Sequence, residues 1–312
     1  MFGKILIVLV ALAATASAQS CLSFLFYTTA TNIVTYSTAN LTGILTNPNF
    51  NRQRVTALYM YGFQQAISTP SVVQVRDAYI QNGNHNFLLM DCDSSYTAVN
   101  ANSLADEVSD VLLQFFNVGY ESWHLVGFSL GAQIAGMTGR HVRRKSLRRH
   151  SVPRITGIDP GQLPIGLFSD INADDAAFVD IIHVETVHFG TVNAVGHVNF
   201  WVNGGVTQPM CTGAVAVGKL IEFKFWFLEL TMSFQFSVVA TCSHLMGPTY
   251  WSESLTANNP NIFRAQQCAS WDAFVNNQCV NNPTSPMGIG VNFNAQGNHF
   301  LRTNLVAPFS LT

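Results

Sequence analysis

The sequence predicts an α/β fold, a mostly parallel central sheet with helices on both faces. Three observations lead there. Short runs rich in β-branched and aromatic residues alternate with stretches of helical spacing, the pattern of strands joined by crossover helices. The run over 87–90 is apolar throughout, as a strand covered on both faces is. The chain has 312 residues, 48% hydrophobic and only 10% charged, which suits one large domain and excludes a disordered polymer.

In chain order, residues 1–18 have the layout of a secretory signal. Lys4 supplies the positive charge, residues 5–13 an apolar run too short to span a bilayer, and Ala16-Ser17-Ala18 a small-residue cleavage site. A single domain is expected over 19–312, secreted and extracellular. Asn40-Leu41-Thr42 is a glycosylation sequon. Residues 54–63 read as a strand ending at Gly62. Residues 70–82 read as a helix with Val72, Val73, Val75 and Tyr79 as apolar positions, before Asn82-Gly83 turns the chain. Residues 87–90 are a buried-type strand ending at Asp91. Residues 103–116 have helical spacing, with Leu104, Val108, Val111, Leu112 and Phe115 on one face. Residues 124–126 form a short strand, 132–139 a helix, 155–158 a strand capped by Asp159-Pro160, and 178–184 one more strand.

Between the strand at 124–126 and the helix after it lies Gly127-Phe128-Ser129-Leu130-Gly131, a G-x-S-x-G sequence in a strand-turn-helix context. A turn that sharp excludes bulky residues two positions either side of the serine and lifts its hydroxyl above the sheet. Ser129 is therefore the candidate nucleophile, and it needs a base and a group to orient that base. Chain order in this arrangement is serine, acid, histidine. Asp159, at a strand end before a proline, is one candidate acid and Asp180, within 178–183, is the other. Any of nine histidines is available as the base on composition alone.

Lys plus Arg number 15 against 17 Asp plus Glu, a formal net charge of -2, which lacks the basic excess of a nucleic-acid binder. Export places the six cysteines where disulfides persist, and their even count agrees. No close pair of cysteines suggests structural zinc, and spacing selects none of the fifteen possible pairings.

Five segments together resemble the pancreatic-type lipase family of α/β hydrolases, especially its single-domain secreted insect members of lipase or phospholipase A1 type. They are Tyr61-Gly62-Phe63, residues 123–136, residues 155–160, residues 196–205 and Cys242-Ser243-His244. The resemblance implies an α/β-hydrolase fold and a catalytic triad of Ser129, Asp159 and His244. It implies an oxyanion hole from the backbone N–H groups of Phe63 and Leu130, and the pairs Cys211–Cys242 and Cys268–Cys279, with Cys21–Cys92 as the remainder. No metal or other cofactor is implied. The expected substrate is a lipid ester at a membrane or droplet surface, cleaved by phospholipase A1 or triacylglycerol lipase chemistry. The alternative is a weak or inactive lipid-binding, yolk-type protein on the same scaffold. The C-terminal lipid-binding sandwich of the vertebrate digestive enzymes is not expected. Residues 196–205 carry His197, whose counterpart in the family shapes a loop rather than serving as the base. The chain departs from the family at Tyr61 and Phe128, where relatives usually have His, at Cys92, where Trp is common, and at Leu245-Met246, where Arg or a small residue is usual.

Two features stand apart. An insert over about 212–241 occupies the place of a lid, and its only charges are Lys219, Glu222, Lys224 and Glu229. Those charges disfavour a transmembrane span. Neither helical nor strand periodicity persists, since alternation breaks at Trp226 and Leu228. The segment reads either as a lipid-facing lid or as retained intron sequence, with poorly defined structure expected over 213–236. Residues 140–150 hold Arg140, Arg143, Arg144, Lys145, Arg148 and Arg149, a local cationic stretch suited to an anionic lipid or sulfated glycan.

Overall fold

The computed structural model describes residues 21–92, 97, 99–162, 170–212, 220–227, 230–257, 259 and 262–311, with backbone only over the paired strands at 220–237. The signal-type segment 1–18 lies outside the described residues, as do residues 213–219 and 228–229 of the insert.

Thirteen strands and five α-helices are described. The strands are β1 Leu22–Tyr27, β2 Ile33–Ser37, β3 Thr56–Met60, β4 Asn86–Cys92, β5 Trp123–Phe128, β6 Arg154–Ile158, β7 Phe178–His183, β8 Val198–Val202, β9 Leu220–Phe227, β10 Leu230–Ser237, β11 Arg264–Gln267, β12 Thr284–Pro286 and β13 Gly297–Leu301. The helices are α1 Pro70–Asn82, α2 Ala101–Asn117, α3 Leu130–Lys145, α4 Val238–Thr256 and α5 Trp271–Val275. Eleven strands form one sheet in the order β12-β11-β13-β8-β7-β6-β5-β3-β4-β1-β2. The run from β13 to β4 is parallel throughout, and antiparallel strands flank it at both ends.

Helices cover both faces, and adjacent residues of β5 show it. Trp123 meets Phe115 of α2 at 4.9 Å between ring centroids, while His124 meets Trp251 of α4 at 5.8 Å. Neighbouring residues of a strand point to opposite faces, so α2 and α4 lie on opposite sides of the sheet. Helix α3 packs on α2, and α1 on α4. The central strands β3, β5, β6 and β7 are buried at every position, which explains their lack of polar alternation.

Helix α1 occupies the predicted span, whereas α3 runs six residues past the predicted stop at Gly139. Gly139 is a close-approach glycine rather than a terminator: a Cβ there would stand 2.1 Å from the Asp175 carbonyl oxygen. Strands β1 and β2, which sequence reasoning missed, form the antiparallel edge beyond β4. Three disulfides join Cys21 to Cys92, Cys211 to Cys242 and Cys268 to Cys279.

The expectation of poorly defined structure over 213–236 falls in part on residues 213–219 and 228–229, outside the described residues. β9 and β10 pair as an antiparallel hairpin with their own register. The register runs from Leu220 opposite Ser237 to Phe227 opposite Leu230.

Candidate active site

Strand β5 delivers Ser129 at its C-terminal end, and the backbone there is strained. Ser129 has φ 54° and ψ -121°, a left-handed conformation that a non-glycine residue adopts only when its surroundings enforce it. The flanking glycines supply that enforcement. A Cβ on Gly127 would stand 2.3 Å from the Gly131 carbonyl oxygen, and one on Gly131 would stand 2.1 Å from that of Met60. The spacing G-x-S-x-G is thus a packing requirement between the turn, α3 and the end of β3. The Ser129 amide donates to Ile158 O at 2.9 Å, and its carbonyl accepts from Gly161 N at 3.1 Å, so β6 and its following loop hold the turn. Ser129 is half-buried in a stretch otherwise almost wholly buried, which leaves it accessible.

Asp159 follows β6 with φ 43° and no exposed surface. Its Oδ2 accepts from His244 Nδ1 at 2.6 Å and from Glu185 N at 3.1 Å. Its Oδ1 accepts from Val184 N at 2.8 Å and Glu185 N at 3.2 Å. Burial pushes the carboxyl above the ordinary range, opposed first by His244 and then by those two amides. His244 stands in the first half of α4, two residues after Cys242, whose disulfide to Cys211 anchors the helix entry. The His244 ring packs against Phe128, the residue before Ser129, at 4.6 Å between centroids. Ser129, His244 and Asp159 are therefore carried by the end of β5, by α4 and by the end of β6, with His244 bonded to Asp159 and packed on the residue before Ser129. Among the described residues no hydrogen bond joins Ser129 Oγ to His244; such bonds are often long in resting sites and tighten with substrate.

Phe63 follows β3 in a loop fixed by Gln65. Gln65 Oε1 accepts from Gly62 N at 2.8 Å, and its Nε2 donates to Ser71 Oγ of α1 at 2.8 Å. The loop lies against the nucleophile, since a Cβ on Gly62 would be 3.1 Å from Ser129 Cβ. Leu130 is the first residue of α3, so its amide has no partner a turn back within the helix. The hydroxyl of Tyr61, at a departure from the family pattern, donates to the Asp91 carboxylate and ties β3 to β4.

The rival residues are engaged elsewhere. Asp180 is fully buried and pairs with Arg154 through Nε–Oδ1 and Nη2–Oδ2 contacts of 2.9 Å, while Thr156 Oγ1 donates to it at 2.9 Å. His197 Nδ1 accepts from Val179 N at 3.0 Å, and its ring stacks on Phe178. Sequence reasoning missed Gln208, a buried hub without a motif. Its Nε2 donates to the carbonyls of Val184 and Val202, its Oε1 accepts from Tyr250 Oη and its amide donates to Ser243 Oγ, joining the ends of β7 and β8 to α4. Asn40 is exposed before a short 3-10 helix, its Oδ1 accepting from Ser37 N at 2.7 Å. The cations of 140–150 are largely matched by local acids: Arg140 with Asp175, Arg143 with Asp174, and Arg144 and Lys145 with Asp106.

Among the described residues, no cluster of His, Cys, Asp and Glu is placed to hold a metal ion, and no helix is long and apolar enough to cross a membrane.

Residues 10–309 match the family described as Lipase. The chain is 31% identical over 250 residues to the inactive pancreatic lipase-related protein 1 of Mus musculus, covering 74% of this chain and 49% of that protein. It is 35% identical over 174 residues to pancreatic lipase-related protein 2 of the same species, covering 52% and 33%, and 31% identical over 185 residues to human pancreatic triacylglycerol lipase, covering 56% and 36%. The chain thus spans about half the length, or less, of these relatives. A solved lipase-esterase related protein from Clostridium acetobutylicum aligns at 15% identity and a TM-score of 0.27, over 36% of this chain and 44% of that one.

Proposed function

The chain belongs to the pancreatic-type lipase family, and on that premise we propose that it is a secreted serine hydrolase of lipid carboxylic esters. Ser129 is the nucleophile, His244 the base, Asp159 the carboxylate that orients it, and the Phe63 and Leu130 amides the oxyanion hole. The observation that carries this reading is the 2.6 Å bond from His244 Nδ1 to a fully buried Asp159, formed beside a serine held at φ 54°.

The chemistry follows from the geometry. With Nδ1–H committed to Asp159, Nε2 carries the lone pair that removes the Ser129 proton as Oγ attacks the ester carbonyl. The developing oxyanion lies toward the N-terminus of α3 and the loop after β3, where amide donors typically contribute about 3 kcal/mol each. His244 then protonates the leaving alcohol. Water, deprotonated by the same histidine, attacks the acyl-enzyme and releases the fatty acid.

The β9–β10 hairpin, closed at its base by Cys211–Cys242, is read as the lid. A lid there would cover the site in water and turn to lipid at an interface. Exposed Leu245, next to His244 on α4, is an apolar side chain that lipid could cover. Residues 140–150 are at most an auxiliary anionic contact, because ion pairs already occupy most of their cations.

One relative is described as inactive, so a non-catalytic lipid-binding protein is the second reading. Purified secreted protein should release fatty acid from emulsified triacylglycerol or from phosphatidylcholine carrying different chains at its two ester positions. Release from the first position alone assigns phospholipase A1 specificity. Vesicle or droplet binding without acid release from either substrate favours the second reading.

A further inference from the structure

Three side chains around His244 lie outside the triad: Phe128, Phe189 and Glu185. Two phenylalanine rings flank the imidazole, Phe128 at 4.6 Å and 37° between planes and Phe189 at 4.8 Å and 16°. Phe128 is set by β5. Phe189 lies in the loop after β7, where its position depends on a different device.

That device is the Glu185 carboxylate, only 2% exposed. Oε2 accepts from His188 N at 3.0 Å and Phe189 N at 2.9 Å, and Oε1 accepts from His188 Nδ1 at 2.8 Å. The Glu185 carbonyl accepts from Gly190 N at 2.8 Å, closing the turn on its far side. The Glu185 amide donates to Asp159 at 3.1 Å. The contacts therefore form a circuit: His244 donates to Asp159, Asp159 accepts from the Glu185 backbone, the Glu185 carboxylate accepts from the Phe189 backbone, and the Phe189 ring lies on His244.

We propose that Glu185 is a positioning residue: it fixes the turn that lays Phe189 on the His244 ring, and Phe189 and Phe128 then favour the imidazolium formed during proton transfer. This rests on the serine-hydrolase reading given above. A buried carboxylate is costly unless fully partnered, and here its partners are amides of one short turn. Aromatic faces attract a cation through the ring quadrupole, a contribution that neutral imidazole lacks. The stack thus acts on the state in which His244 holds the Ser129 proton more than on the resting state, the condition for raising turnover rather than affinity. Among the described residues, the carboxylates on this circuit are Asp159 at Nδ1 and, behind Phe189, Glu185 with its partner His188. β5 contributes the uncharged Phe128, and α4 carries no other titratable side chain within a turn of His244.

The test is the pH dependence of kcat and kcat/KM on a soluble short-chain ester, for the wild type, Phe189→Leu, Glu185→Ala and Glu185→Gln, with Ser129→Ala as control. Leucine keeps the apolar cover and removes the π face. Phe189→Leu should lower kcat about threefold at unchanged KM and move the acid limb of kcat/KM down by about half a pH unit. Glu185→Ala should lower kcat by about tenfold or more with a shift in the same direction, and Glu185→Gln, which keeps an acceptor for the turn, should recover part of the loss. Wild-type kcat and an unmoved acid limb in folded Phe189→Leu and Glu185→Gln would overturn the proposal, as would losses confined to KM. Turnover that survives in Ser129→Ala would instead sink the serine-hydrolase reading itself.

Discussion

Asp159 and Asp180 are both fully buried strand-associated acids, and their partners assign them opposite tasks. Asp159 meets an imidazole and two amides, so its carboxylate is arranged to orient a base. Asp159→Asn is expected to preserve secretion and the unfolding temperature while turnover on a soluble ester falls by about four orders of magnitude, because an amide favours the wrong imidazole tautomer. Turnover equal to wild type would reject the assignment. Asp180 meets a guanidinium that is 7% exposed. Asp180→Asn leaves that cation buried and unpaired, so thermal unfolding should fall by roughly ten degrees, from a loss of about 3–5 kcal/mol. His197→Asn should retain esterase activity, since His197 only accepts a backbone hydrogen bond, while His244→Asn should nearly abolish it. The strained turn at Ser129 was legible because backbone contact forces glycines to fixed positions around it. Position at a strand end before a proline favoured Asp159, but the partners that separate the two acids are not local: Asp180 meets Arg154 from 26 residues away and Asp159 meets His244 from 85. Gln208 was illegible for another reason: an uncharged hub has no pattern, only neighbours.

The hairpin shows how an element can hide in one strand's sequence. Read singly, residues 220–230 lose alternation at Trp226 and Leu228. Read as a pair, the two strands hold one antiparallel register from Leu220–Ser237 to Phe227–Leu230. Pairing information is not local, so periodicity alone could not recover it. If the hairpin is a lid, removing residues 217–236 should abolish the rate increase seen when a substrate aggregates, while hydrolysis of a soluble short-chain ester persists. Unchanged activation on emulsified lipid in the deletion variant would reject that role. The same locality explains the other differences. β2 is an edge strand with alternating exposure and few strongly apolar positions, and α3 continues through a glycine whose reason lies across space at Asp175.

At the scale of the whole molecule, the parallel sheet was readable because its strands alternate with stretches of helical spacing, whereas β1 and β2 pair directly as antiparallel neighbours and β2 is only partly buried. The interior also holds histidines that the fold keeps neutral. Burial lowers His183 to about 4, and its ring stacks on Trp201 at 3.9 Å. The unfolded chain protonates this residue as pH falls through about 6.5, whereas the folded chain resists to about 4. Its contribution to stability is therefore complete above about pH 6.5 and is lost on descending toward pH 4, by up to about 3 kcal/mol. Asp159 and Asp175, raised by burial, run the other way and take up protons in the fold before the unfolded chain does. The difference between wild type and His183→Gln isolates the single group: the unfolding temperature should drop more steeply from pH 7 to pH 4 in the wild type, and parallel profiles would contradict the inference. The central claim, that Ser129 is an activated nucleophile, is tested most directly by intact-mass measurement after exposure to a fluorophosphonate. The account predicts one covalent adduct on the folded secreted protein, none on Ser129→Ala and a sharply slowed reaction on His244→Asn. A folded wild-type protein that stays unmodified, or a Ser129→Ala variant modified as readily as the parent, would contradict it.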